Sequence, residues 1–192
     1  MTNVILFHHV QGLTEGVAAF ADQLRGAGHQ VTAPDLFDGA TFGTIEEGIA
    51  HAQNLGFEAI LAAAASAAEA LSERVVYGGF SLGALAAHKL AQTRPGALGA
   101  LLYHHGDVPI TTFGDSWPDG VDLQIHVAEE DEFCEIEVVR EFVARAGARA
   151  DAELFLYPGS THLFTDVSLA GYDLESAALV VQRTLRFLRS RS

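Results

Sequence analysis

Ser81 stands at the centre of Gly79-Phe80-Ser81-Leu82-Gly83, and downstream lie an acidic run containing Asp131 and a single histidine beyond Val127, His162. Together these residue types could carry out acyl transfer. A serine hydroxyl is a weak nucleophile at neutral pH, so a histidine must take its proton and a carboxylate must hold that imidazole in one tautomer. Glycines two residues either side of a serine permit a tight, strained strand-to-helix turn that lifts the hydroxyl above a sheet. Nucleophiles mounted on such a turn are followed along the chain by the acid and then the histidine. Ser81, Asp131 and His162 keep that order.

Each piece has a plainer reading. The serine could simply cap the helix that follows it. Glu129, Glu130 and Glu132 rival Asp131 for the acid, and an acidic cluster alone is an ordinary solvated loop. The ordered set, with every member expected beyond a strand end, favours chemistry.

The elements that must position them read as alternating strands and helices. Val4 to Phe7 is a β-prone run, and Glu15 to Arg25 puts Val17, Phe20, Ala21 and Leu24 on one helical face before Gly26 and Gly28. Val31 to Ala33 reads as a second strand, ended by Pro34, with a Gly- and Asp-rich loop from Asp35 to Thr44. Ile45 to Leu71 gives one or two helices, interrupted near Gly56. A strand over Arg74 to Gly79 and a helix from Leu82 to Gln92 flank Ser81. Further strands are expected at Ala100 to Tyr103, Leu123 to Val127 and Glu153 to Tyr157, with helices at Glu135 to Ala146 and Glu175 to Arg189. The pattern implies an α/β fold in one domain over residues 1–192, with a mainly parallel sheet, helices on both faces and active loops at the strand C-termini. The longest loop, Gly106 to Asp122, carries the only tryptophan, Trp117.

Composition narrows the setting. The chain has 192 residues, 49% hydrophobic and 19% charged, as in an ordinary globular domain. The most apolar window, Ile60 to Leu71, is too short for the roughly twenty residues of a membrane-spanning helix. No basic patch precedes an apolar run at Met1, so the expected compartment is cytoplasmic. A formal net charge of −14 disfavours nucleic acid as a partner. The single cysteine, Cys134, excludes an intramolecular disulfide and reads as a small buried residue.

The opening strand with Gly12, Pro34-Asp35-Leu36, the turn at Ser81, Asp131-Glu132-Phe133 and Gly159-Ser160-Thr161-His162-Leu163-Phe164 with Gly171-Tyr172 resemble the dienelactone hydrolase family, along nearly the whole chain. The resemblance implies an α/β-hydrolase fold without a cap domain, Ser81 as nucleophile, Asp131 as acid and His162 as base, and no cofactor. It also implies the backbone amides of Leu82 and Val10 as oxyanion donors. The namesake enzymes use cysteine where this chain has Ser81, glutamate where it has His9, and arginine where it has Asp166. A carboxylate in place of that guanidinium would repel an anionic lactone, so the expected substrate is a small uncharged ester or lactone.

His9, Phe37, Phe80, Tyr103 and Trp117 are expected to line the substrate pocket. His8-His9 and His104-His105 each follow a strand, but neighbours on an extended chain point opposite ways, so neither pair can give two ligands to one centre and no metal is expected. A non-catalytic binding module on the same scaffold, and an acyltransferase using the same triad, are the competing readings. The sequence leaves monomer and homodimer both open.

Overall fold

The computed structural model describes residues 1–71, 74–105 and 108–191. Six parallel strands form one sheet in the order β2-β1-β3-β4-β5-β6. They are β1 (Asn3–Phe7), β2 (Gln30–Thr32), β3 (Val75–Phe80), β4 (Ala97–Tyr103), β5 (Asp122–Ala128) and β6 (Ala152–Tyr157). The helices are α1 (Glu15–Gly26), α2 (Ile45–Leu55), α3 (Phe57–Glu69), α4 (Leu82–Thr93), α5 (Ile136–Ala146) and α6 (Leu174–Arg189). This is an α/β-hydrolase-like sheet, and among the described residues no cap domain is inserted into it.

Alternation along each strand sorts the core into two layers. Val4 and Leu6 of β1 join Val17, Phe20 and Leu24 of α1 and Val180, Phe187 and Leu188 of α6. Ile5 and Phe7 face the other way, onto Ala64 and Ala68 of α3, Ala84 and Ala87 of α4 and, across the layer, Val139 and Phe142 of α5. The small residues of α4 let it lie very close to the sheet. A Cβ on Gly83 would come within 2.3 Å of the Phe7 carbonyl oxygen.

Boundaries shift where tertiary pairing overrides local signal. Gly56, at φ 84°, splits the long helical stretch into α2 and α3. Strand β4 starts at Ala97, ahead of the expected Ala100, because β3 and β5 pair with it on both sides and the ring of Phe187 fills the space beside Gly99. The loop from Gly106 to Asp122 is largely a structural plug. Its first two residues, Gly106 and Asp107, lie outside the described residues. Beyond them it makes a 3₁₀ turn at Ile110–Thr112, and the Gln92 amide of α4 donates to the carbonyls of Ile110 (2.8 Å) and Ser116 (2.9 Å).

The strand order runs β2-β1 to one side and β3-β4-β5-β6 to the other. The reversal leaves a crevice at the C-terminal ends of β1 and β3, where α/β sheets usually carry their sites.

Candidate active site

Ser81 follows β3 directly, at φ 50° and ψ −111°, a conformation uncommon for a side chain with a Cβ. Packing holds it there. Its amide donates to the Tyr103 carbonyl at 2.8 Å, and a Cβ on Gly79 would lie 2.1 Å from the Gly83 carbonyl oxygen, so the turn closes only with glycine.

His162, in the loop beyond β6, approaches Ser81 from the far side of the crevice. Its Nε2 lies 2.9 Å from Ser81 Oγ, and its Nδ1 lies 2.7 Å from Asp131 Oδ2. A carboxylate only accepts, so the ring proton sits on Nδ1 and Nε2 is left to accept from the serine hydroxyl. The Asp131 side chain is fully enclosed, and its other oxygen accepts from the Phe133 amide at 3.0 Å. Glu129, Glu130 and Glu132 are exposed.

Over Ser81 opens a cavity of about 300 Å³. Ile45 and Ile49 of α2, Phe57 of α3 and Leu82 and Leu85 of α4 form most of its wall, with Val10, Val108 and Phe133 at the edges. Its polar lining is Ser81, His162, His104 and His105. Burial drives the His104 ring well below its usual range, with His162 nearby adding to the effect, and it drives His105 down to about 3. Both are therefore neutral at working pH, and no lysine, arginine or carboxylate of the described residues lines the cavity. Val10 and Leu82 both border it, and Leu82 opens α4, where an amide has no carbonyl within the helix to bond.

Five residues expected in the pocket lie elsewhere. Phe80 and Tyr103 point to the opposite face of the sheet, stacked on each other at 4.7 Å, and the Tyr103 hydroxyl bonds Thr184 of α6. Phe37 sits a layer behind the wall, against the rings of His8 and His51. Trp117 is wholly buried beside Phe142, its indole N–H donating to the Val121 carbonyl. His9 turns away to Asp166, with Nε2 2.9 Å from Oδ2.

The wall from α2 and α3 escaped sequence reasoning. Ile45 and Ile49 are spaced i, i+4, which signals a buried face but not what that face covers.

Of the paired histidines, His8 and His9 take different partners, whereas His104 and His105 both line the cavity, because His104 sits at φ 54°, off the extended chain. The Leu36 amide donates to His8 Nε2 at 2.9 Å, and His104 Nε2 bonds Thr165 at 2.7 Å. One cluster among the described residues could offer three ligand atoms to a cation: Asp131, Cys134 and His162, all within 4.8 Å of one another. Its aspartate and histidine are hydrogen-bonded to each other.

A model of the dienelactone hydrolase family matches residues 1–192. The chain belongs to that family. Among solved structures, it is similar to a protein described as a dienelactone hydrolase from Klebsiella pneumoniae subsp. pneumoniae, at 19% identity and TM-score 0.75, covering 98% of this chain and 87% of that one. A hydrolase of the α/β superfamily from Xanthomonas campestris pv. campestris shares 19% identity over 99% of both chains, at TM-score 0.63. Esterase 2 of Thermogutta terrifontis, in a form phosphorylated by paraoxon, shares 14% over 98% of this chain and 82% of its own, at TM-score 0.72. No curated protein matches the chain. Identities this low speak for a shared fold. His9 and Asp166, two positions at which the sequence is expected to depart from the family's namesake enzymes, are in contact with each other.

Proposed function

We propose that this member of the dienelactone hydrolase family is a serine hydrolase that cleaves a small uncharged ester or lactone through an acyl-Ser81 intermediate. The observation that carries this is the hydrogen-bonded series Asp131–His162–Ser81, opening onto one cavity. His162 Nε2 takes the hydroxyl proton as Ser81 Oγ attacks the substrate carbonyl, and Asp131 steadies the imidazolium that forms. The amides of Leu82 and Val10 meet the oxyanion, and the helix N-terminus at Leu82 favours that charge. His162 then protonates the leaving alkoxide and, in the second half, activates the water that releases the acid.

The wall argues for the substrate class. Apolar side chains and two neutral imidazoles hold no charge against which a carboxylate could pair, whereas an uncharged acyl group is desolvated there at little cost. No dissociable cofactor enters any step.

A fluorophosphonate probe tests the reading, since it labels activated serines whatever their substrate. We expect one adduct, at Ser81, none in Ser81→Ala, and labelling slowed by on the order of 10²-fold or more in His162→Ala. A folded wild-type protein left unlabelled would overturn the reading in favour of a binding module. A labelled protein that turns over esters only when an alcohol or amine acceptor is added would make it an acyltransferase.

A further inference from the structure

Asp166 is nearly buried, yet it is built to stay ionised. His9 Nε2 (2.9 Å) and Thr14 Oγ1 (2.5 Å) converge on its Oδ2, and the Ser168 amide (2.8 Å) and hydroxyl (2.5 Å) on its Oδ1. Burial alone would raise this carboxyl, but those four donors outweigh it and hold the group at about 2. Room has been left for it: a Cβ on Gly16 would come within 1.7 Å of Oδ1.

The His9 ring is a bridge with a fixed direction. The Gln11 amide donates to Nδ1 at 3.2 Å, so the ring proton sits on Nε2 and points to Asp166. His9 immediately precedes Val10, and its bond to Gln11 shapes the turn that sets Val10 at the border of the cavity. Asp166 closes the turn that follows His162, its amide donating to the Leu163 carbonyl at 3.0 Å. Val10 and His162 otherwise belong to loops from distant parts of the chain.

We propose that Asp166 and His9 are positioning residues for the hydrolysis proposed above. Their hydrogen bond ties the turn that presents the Val10 amide to the turn that presents His162, so that oxyanion donor and general base keep one spacing about Ser81. The inference rests on that reading of the site. A misplacement of about 1 Å is enough to lose on the order of 10² in rate, which is the scale such a tie can control. The Thr14 bond adds the N-cap of α1 to the same carboxylate, so the two loops are referenced to a helix as well.

The test uses isosteres that separate the two ring nitrogens. His9→Gln keeps a donor near the Nε2 position, and His9→Asn keeps only an acceptor near Nδ1. Each is compared with Asp166→Asn and with the Asp166→Asn, His9→Asn double variant, well below each variant's melting temperature. The readouts are kcat and KM for an ester found by screening, and the fluorophosphonate labelling rate. We expect kcat and labelling to fall roughly 10- to 100-fold in Asp166→Asn and His9→Asn with KM little changed. His9→Gln should stay within a few-fold of wild type, and the double variant should be no worse than the worse single one.

If Asp166→Asn does not fold, the two His9 variants still decide, since they leave three of the four donors on the carboxylate. A merely structural pair would lower melting temperature and leave kcat and labelling alone, and that outcome overturns the proposal. Losses that multiply, or equal rates in His9→Asn and His9→Gln, overturn it too. Wild-type protein that is not labelled takes down the hydrolase reading and this one together. Labelled wild type with equally labelled variants takes down only this one.

Discussion

Asp131 is the enclosed member of an acidic run whose other members, Glu129, Glu130 and Glu132, are exposed, and only it reaches His162 Nδ1. Asp131→Asn keeps the shape but offers an amide where the ring needs an acceptor, inviting the wrong tautomer. In the same run, Glu130→Gln changes a solvated side chain. On a fluorogenic ester we expect kcat to fall by on the order of 10³- to 10⁴-fold in the first and to stay within about twofold in the second. Similar losses in both would mean that the loop's charge, and not one carboxylate, supports turnover. Ser81, Asp131 and His162 could be singled out in the sequence as the proposed triad because the signals for them are local: glycine spacing around Ser81, one histidine beyond the last strand, and a fixed order. The pocket lining could not. Phe80 precedes the nucleophile candidate and Tyr103 ends the neighbouring strand, but strand alternation sends them to the α1–α6 side while the cavity opens toward α2, α3 and α4. His9 and Asp166 stood out in the sequence only as two separate departures from the family pattern, and nothing local showed that residues so far apart would bond to each other.

At the scale of elements, every expected strand and helix is present, because each carries its own periodicity and stop signal. What could not be read was how closely elements approach. Helix α2 shows this. Thr44 and Glu47 form a reciprocal capping box that fixes its start, and one turn in, Gly48 lies so near the Val10 turn that a Cβ would sit 2.2 Å from the Val10 carbonyl oxygen. Ile45 and Ile49, from the same helix, wall the cavity. Gly48→Ala must therefore push α2 off the Val10 turn, disturbing the cavity wall and the proposed oxyanion donor together. We expect about 1–3 kcal/mol of destabilisation, a melting temperature lower by several degrees, and kcat/KM reduced at least tenfold. Gly26→Ala, at the end of α1 with nothing within 4 Å of the new Cβ, is the matched control and should be neutral or slightly stabilising. If calorimetry and kinetics show Gly48→Ala behaving like Gly26→Ala, α2 does not brace the site.

Taken whole, the molecule combines a formal charge of −14 with nine histidines, seven of which are buried. Burial holds His8 and His88 at about 4 and His105 and His126 at about 3, with His104 well below its usual range. An unfolded chain would protonate the same rings near 6.5. Between those limits the unfolded state binds more protons than the folded one, so the stability from neutral burial is complete above about 6.5 and is lost as pH falls toward 4. Each ring contributes a slope of about 1.4 kcal/mol per pH unit in that window. Asp166 works with the same sign lower down, between its ordinary 3.8 and about 2. Protonation of the many surface carboxylates acts the other way, by easing the molecule's negative self-repulsion. Those groups are solvated and screened, so the buried rings should dominate. Several rings acting together would exhaust a typical stability of roughly 5–15 kcal/mol before pH 4. Urea midpoints should therefore hold from pH 7.5 to about 6.5 and drop steadily from there to 5, and acid unfolding should be complete well above the ordinary carboxylate range. Among the described residues His88 has no partner for Nδ1 and a single bond, to Gln92, at Nε2, so His88→Gln should flatten that slope by about one proton. Midpoints that hold constant from pH 7.5 to 5 would show that the buried imidazoles gain protons without unfolding, and would place the acid sensitivity of this fold in its carboxylates.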